Sequence, residues 1–443
     1  MKNRWLIAVA GTISMICLGT VYSWSIFTQP LIASFGWSNA TTTWTFALAI
    51  FFLGVGAILG GRWQDRVGPR RVTATGVVLW GLGNLLAGLG TASFGPWWIY
   101  LSYGVLGGLG LGIGYVTPVA TVTKWFPDKR GVGSGMVVMG FGLGAFFYNN
   151  IVKMVGPFAT AAKRAAALLA HGSFAAAPSS LAMRPQDVAA IMNVLVVSGI
   201  VYIVVGGLCS LFMVNPPALA ASAGSTGAAP AVERDYRPSE MLRTPQFYAL
   251  WFMLFLNVTA GILFISNAVP IMGELTLAAP ATVLGVYGII AVFNGLGRFF
   301  WGSVSDRIGR NWAYILIYGL QVVIFFTVGH LHGLGAVAVL FAVVLLCYGG
   351  GFGTMPSFTA DYFGTKHMGV NYGFVLFAWG VGGVVGPTFV AYVKDHTGTF
   401  SGALPYVGLM LIVATVLPIV TRRPRESPSD HGRWQLWHRT AHP

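Results

Sequence analysis

The chain reads as an all-α membrane protein of twelve transmembrane helices arranged as two six-helix pseudo-repeats, and three observations lead there. Composition comes first. Of 443 residues 55% are hydrophobic and 9% charged, with a mean hydropathy of +0.71, far too little polar surface for a water-soluble fold of this length. Apolar runs come second, because a helix that crosses a bilayer needs about 20 mostly apolar residues and twelve such runs are present. The third is a repeat. Gly61-Arg62-Trp63-Gln64-Asp65-Arg66-Val67-Gly68-Pro69-Arg70-Arg71 returns 241 residues later as Gly302-Ser303-Val304-Ser305-Asp306-Arg307-Ile308-Gly309-Arg310-Asn311. Each copy closes the second apolar run of its half, so the chain is duplicated and a solute path is expected between the halves.

The first six runs lie near 5–33, 40–61, 72–91, 96–123, 131–156 and 189–214. The second six lie near 244–270, 279–304, 311–330, 333–360, 369–393 and 402–421. The first continues past Val21 with no small-residue cleavage site, so it reads as a retained helix rather than a removed signal peptide. Residues 157–188, with the Ala-rich stretch Ala159–Ala167 and Lys163-Arg164, are too polar to span and read as an amphipathic excursion on the outer face. Residues 215–243 are rich in Ala, Gly, Ser and Pro before the charged Glu233-Arg234-Asp235, the profile of a cytoplasmic linker. The expected organisation is a bundle over 1–214, this linker, a bundle over 244–421 and a cytoplasmic tail over 422–443.

Charge sets the orientation. Of the 26 Lys and Arg, twenty fall on one side, five on the other (Lys153, Lys163, Arg164, Arg184, Lys394) and one, Arg298, within a span. The richer side is expected to be cytoplasmic with both termini, in a bacterial inner membrane. The net charge of +14 therefore sits in short loops facing lipid headgroups and gives no reason to expect nucleic acid. Cys17, Cys209 and Cys347 lie in apolar runs without paired spacing, which argues against disulfides and a metal site. No Walker loop or catalytic dyad is seen, His330 and His332 read as solvent-facing loop residues, and neither an enzyme nor a cofactor is expected.

The repeated loop carries chemistry of its own. Asp65 and Asp306 end a helix and are each followed by an arginine, Arg66 or Arg307, and then by Gly68 or Gly309. A carboxylate there can accept from backbone N–H groups at a neighbouring helix start, the arginines can pair with acids or headgroups, and the glycine allows the tight turn. Such a latch would hold one state of a rocking bundle. The pattern resembles the signature loop of the major facilitator superfamily, which implies that superfamily's twelve-helix fold.

One charge stands inside the bilayer. Arg298, in Val292-Phe293-Asn294-Gly295-Leu296-Gly297-Arg298, lies eight residues before Asp306, roughly 12 Å along a helix. A guanidinium there costs several kcal/mol unless paired, and no Asp, Glu, Lys or His stands near the middle of another span. Its expected partner comes from solution: an anion, best a carboxylate, gripped bidentately. Asn294, one turn earlier, can orient it. Tyr22 and Trp24, Tyr115 and Tyr348 offer hydrogen-bond donors on apolar rings, and Phe352 and Phe377 complete a candidate wall, although each also suits simple packing.

Over nearly the whole chain outside 157–188, the sequence resembles the oxalate/formate antiporter family within the monocarboxylate-transporter-like group. The resemblance is carried by Trp125-Phe126-Pro127-Asp128-Lys129-Arg130-Gly131, by Pro238-Ser-Glu-Met-Leu-Arg-Thr-Pro-Gln-Phe247, by Phe293-Asn-Gly-x-x-Arg298 with Trp301-Gly-x-Val-Ser-Asp-x-Ile-Gly-Arg310, and by Asn371-Tyr-Gly-Phe374. It implies a carrier of small organic anions whose eighth-helix arginine, here Arg298, binds carboxylate. Two departures count. The oxalate exchanger of that family carries a lysine in its eleventh helix where the register from Asn371 puts Trp379, which favours a monocarboxylate over a dianion. The animal monocarboxylate transporters carry an aspartate one turn before the arginine, where this chain has Asn294, and a first-helix lysine that it lacks. Their proton relay therefore does not transfer.

The expected function is thus transport of a monocarboxylate of the lactate, pyruvate or formate type by alternating access, coupled to protons, with Glu274 and Asp395 as candidate outer acids. The alternatives are a carboxylate exchanger, including oxalate for formate, and a sensor that binds without moving its ligand. The sequence implies no oligomeric state, and a monomer suffices.

Overall fold

The computed structural model describes residues 3–170, 181–217, 234–397, 399 and 401–424. Within them twelve helices are long and apolar enough to cross a membrane. The first six spans are Arg4–Ser23, Asn39–Val67, Pro69–Phe94, Pro96–Trp125, Arg130–Lys153 and Pro185–Ser210. The last six are Pro245–Ile262, Thr282–Ile308, Arg310–His330, Leu334–Phe363, Met368–Gly386 and Ser401–Val420. The protein is an integral membrane protein of all-α architecture.

Local sequence explains where these helices start and stop. Ser38 and Thr244 cap the second and seventh spans by accepting from the backbone N–H of Thr41 and Phe247 at 3.1 and 3.3 Å. Proline occupies the first turn of the third, fourth, sixth and seventh, where its missing N–H leaves no bond unmade. The second and eighth spans both turn directly into the next at a glycine with positive φ, Gly68 at 85° and Gly309 at 90°. Any other residue would be strained at those two turns.

Three spans are irregular away from their extreme ends. The run expected over 5–33 breaks at a 3-10 turn, Thr20–Ser23, where Thr20 Oγ1 donates to the Cys17 carbonyl at 2.8 Å, and resumes as Ser25–Phe35. The fourth span passes after one α-helical turn, Pro96–Ile99, into a π-helical stretch, Tyr100–Gly107, and the eighth is interrupted between Ile290 and Val292. Such irregularities recur near functional sites.

Part of the stretch 157–188 forms a helix, Gly156–Ala170, which lies against Ser25–Phe35 and the sixth span. Phe158 meets Phe27 edge-on at 5.6 Å, and Arg164 Nε pairs with the buried Asp187 at 3.1 Å. Most of the linker, 218–233, and the tail from 425 lie outside the described residues.

The duplication governs how the spans meet. The second packs against the eleventh and the fifth against the eighth. Advancing by six spans exchanges these two pairs, the relation expected when two copies face each other about a two-fold axis. The buried core runs through both seams.

Candidate functional site

Asn294 and Arg298 stand one turn apart in the eighth span, and both are buried. The Arg298 carbon Cζ lies 4.7 Å from the ring of Phe352 in the tenth span and 5.5 Å from that of Phe141 in the fifth. Its side chain thus bridges the first and last six spans. Gly142 makes room for it, because a Cβ there would come 2.9 Å from Arg298 Nε and 2.6 Å from Gly295 Cα.

Among the described residues no acid pairs with Arg298, and Nε, Nη1 and Nη2 all lack a hydrogen-bond partner. The phenols of Tyr22, Tyr115, Tyr348 and Tyr372 lie within electrostatic reach without making an aligned bond to it. A desolvated cation–π contact returns about 2 kcal/mol, whereas burying an unpaired ion costs several. Among the described residues nothing balances the Arg298 charge, so the site suits an anion.

Trp379 closes the other side. Fully buried, it contacts Phe352 at 4.7 Å, Phe141 at 5.3 Å, Tyr115 at 5.4 Å and Tyr22 at 6.1 Å between ring centroids. Tyr22 and Tyr348 link the two halves through their hydroxyls at 3.2 Å. Arg298, Tyr22, Tyr115, Tyr348, Phe352 and Trp379 therefore share one aromatic cage, with Asn294 one turn away on the Arg298 helix and its Oδ1 against Gly349 of the tenth span.

Two expected wall residues do not. Trp24 donates from Nε1 to the Thr42 carbonyl at 2.8 Å and lies tilted against Tyr103 at 4.6 Å, inside the first six spans. Phe377 packs beside Phe51 at 6.1 Å and over Gly54, on the seam between the second and eleventh spans. Each lies two residues from a cage residue, Tyr22 or Trp379, and positions two apart on a helix do not share a face.

Glu274 stands at the end of the seventh helix, where its carboxylate accepts from the Ser401 N–H at 2.9 Å and so ties that end to the twelfth span. The Asp395 side chain lies outside the described residues.

The repeated loops meet at one end of the bundle. Asp306 accepts from the N–H groups of Gly131 and Val132 at 2.8 and 2.9 Å, at the start of the fifth span. Asp65 accepts from Gly369 and Val370 at 3.2 and 3.0 Å, at the start of the eleventh. Each contact adds about 1 kcal/mol from the helix dipole at a partly buried end. The arginines that pair with acids here are others: Arg310 pairs with Asp306 at 2.7 Å and Asp361 at 2.8 Å, and Arg130 reaches Asp361 at 2.7 Å. Arg66 and Arg307 make no ion pair among the described residues and keep the exposed placement that contact with headgroups requires.

The backbones touch here. A Cβ on Gly131 would overlap the Gly302 carbonyl oxygen and stand 2.8 Å from Asp306 Oδ1. Gly131→Ala is therefore expected to spread this end, seen as a longer distance between spin labels at positions 66 and 307. An unchanged distance distribution would show that the latch does not depend on this contact.

Sequence reasoning missed Phe141 and Tyr372 in the cage and Arg130, Arg310 and Asp361 in the latch. Tyr372 stood in a quoted motif, and Phe141 stands between Gly140 and Gly142, a bulky ring amid small residues.

Two six-span sets latched at one end around a buried cation make this a twelve-helix membrane transporter. The chain belongs to the Major Facilitator Superfamily, whose family model matches residues 9–387. It is 30% identical over 408 residues to the oxalate:formate antiporter of Oxalobacter formigenes, covering 90% of this chain and 87% of that protein. To the apicoplast pyruvate carrier 1 of Toxoplasma gondii it is 24% identical, over 85% of this chain and 81% of the relative. Its fold matches the proton:xylose symporter XylE with a TM-score of 0.69 at 13% identity, covering 93% and 94% of the two chains.

Proposed function

We propose that the protein is a secondary transporter of small monocarboxylates, working by alternating access in a bacterial cytoplasmic membrane with both termini inside. Residues 1–214 and 244–421 would be the rocking bundles and 215–243 their tether. One observation carries the reading: a fully buried guanidinium with no internal counter-ion among the described residues, held between the two halves. A carboxylate gripped there would contact both halves, so its binding energy could act on the motion between them. The names of two relatives, an oxalate:formate antiporter and a pyruvate carrier, support the same chemical class.

Exchange of one carboxylate for another is the mode this geometry supports over proton symport. Closing the cage on a bare Arg298 costs several kcal/mol, and a bound carboxylate removes that cost. The loaded carrier then crosses more readily than the empty one. Among the described residues the cage also holds no carboxylate or histidine to move a proton.

Reconstituted vesicles test both claims. Labelled lactate should enter vesicles preloaded with unlabelled lactate at least about tenfold faster than empty ones at equal pH, tenfold being about 1.4 kcal/mol of the empty carrier's penalty. Glu274→Gln should leave that ratio unchanged. Equal rates into loaded and empty vesicles, with accumulation following an imposed pH gradient, would restore proton symport. Binding without any uptake would point to a sensor.

A further inference from the structure

The cage, with Asn294 at its edge, holds more unmet hydrogen-bonding capacity than one carboxylate can use. Besides the guanidinium, Trp379 Nε1 and Asn294 Oδ1 are buried and have no partner among the described residues, and the phenols of Tyr115 and Tyr372 lie beside each other without an aligned bond. Burying such groups unmatched is unfavourable, and a native interior rarely gathers several of them without something to satisfy them. The indole N–H is the most restrictive of the set, because it only donates and cannot rotate to find an acceptor as a hydroxyl can.

Its position is informative. Trp379 and Arg298 lie against the same two rings: the tryptophan is 4.7 Å from Phe352 and 5.3 Å from Phe141, and Arg298 Cζ is 4.7 and 5.5 Å from them. A short acid gripped by Arg298 beside these rings can turn its remaining atoms towards the indole. A plain alkanoate has only carbon to offer there. An acid with a hydroxyl or keto oxygen beside its carboxylate offers an uncharged acceptor.

We infer that Trp379 is a specificity residue whose indole N–H selects 2-hydroxy and 2-oxo monocarboxylates over simple alkanoates of the same length. The inference rests on the carboxylate reading of Arg298 and narrows it. Tryptophan here both excludes a second charge and reads a second oxygen, a combination that neither phenylalanine nor lysine supplies.

Competition against labelled lactate uptake in proteoliposomes tests it with two pairs that differ by one oxygen: lactate with propionate, and glycolate with acetate. In the wild-type protein the oxygenated member should inhibit about tenfold more strongly, the scale of one well-made hydrogen bond in a buried site. In Trp379→Phe, which keeps a ring, both ratios should fall to within about twofold, with the loss falling on lactate and glycolate. Equal inhibition within each pair by the wild-type protein overturns the inference whether or not the variant folds. Ratios that survive in a well-folded Trp379→Phe overturn the assignment to Trp379. If no carboxylate is taken up or competes, the transporter reading itself fails, an outcome distinct from equal potency within the pairs.

Discussion

Replacing Arg298 with alanine is expected to lower lactate uptake by at least about a hundredfold, to the level of empty vesicles. Removing one partner of a buried, hydrogen-bonded ion pair costs about 3–5 kcal/mol, and each 1.4 kcal/mol is a factor of ten in affinity. No other cation among the described residues contacts the rings of the cage, so nothing takes over the carboxylate. Arg298→Lys should recover little. The slot between Phe141 and Phe352 takes a planar group, with Gly142 leaving space at Nε, and an ammonium offers neither the plane nor the two-pronged grip. A thermal-shift titration separates binding from transport. Lactate should stabilise the wild-type protein and leave Arg298→Ala unmoved, whereas uptake by the alanine variant at the wild-type rate would remove Arg298 from the site.

Helix phase explains what could be read in the sequence and what could not. The spans and the duplication were legible because hydropathy and a repeated loop are local signals, and the Asp65 and Asp306 loops carry their turn glycines with them. Around the cage, Asn294 with Arg298 and Tyr348 with Phe352 are four apart, and each pair faces the same way. Tyr22 with Trp24 and Phe377 with Trp379 are two apart, and in each pair only one member reaches the cage. Membership there is decided by rotation about a helix axis, which apolar spans specify weakly because both of their faces are hydrophobic. Phe141 was hidden for another reason. It enters from the fifth span, and its pairing with the eighth is a tertiary fact that no spacing along the chain encodes. The latch shows the same limit, because Arg310 and Asp361 are 51 residues apart yet share an ion pair at 2.8 Å.

Oxalate is expected to compete at least about a thousandfold less well than lactate, even though the chain is 30% identical to an oxalate:formate antiporter. A dianion needs two compensations. Arg298 supplies one, and the second carboxylate would face Trp379, where the resembled exchanger has a lysine. Among the described residues the rest of the cage is aromatic: Tyr22, Tyr115, Phe141, Tyr348, Phe352 and Tyr372. An indole N–H can donate one hydrogen bond to that carboxylate, about 1.5–3 kcal/mol for a charged acceptor, which falls short of the several kcal/mol that desolvating the charge requires. The shortfall of about 4 kcal/mol is the thousandfold. Trp379→Lys should reverse the order, because an ammonium replaces the missing charge while the hydrogen bond to a hydroxy or keto oxygen loses its fixed direction. The measurement is inhibition of labelled lactate uptake by oxalate in both proteins. Oxalate as potent as unlabelled lactate in the wild type would mean that a second cation is dispensable and that the protein exchanges dicarboxylates, whatever stands at position 379.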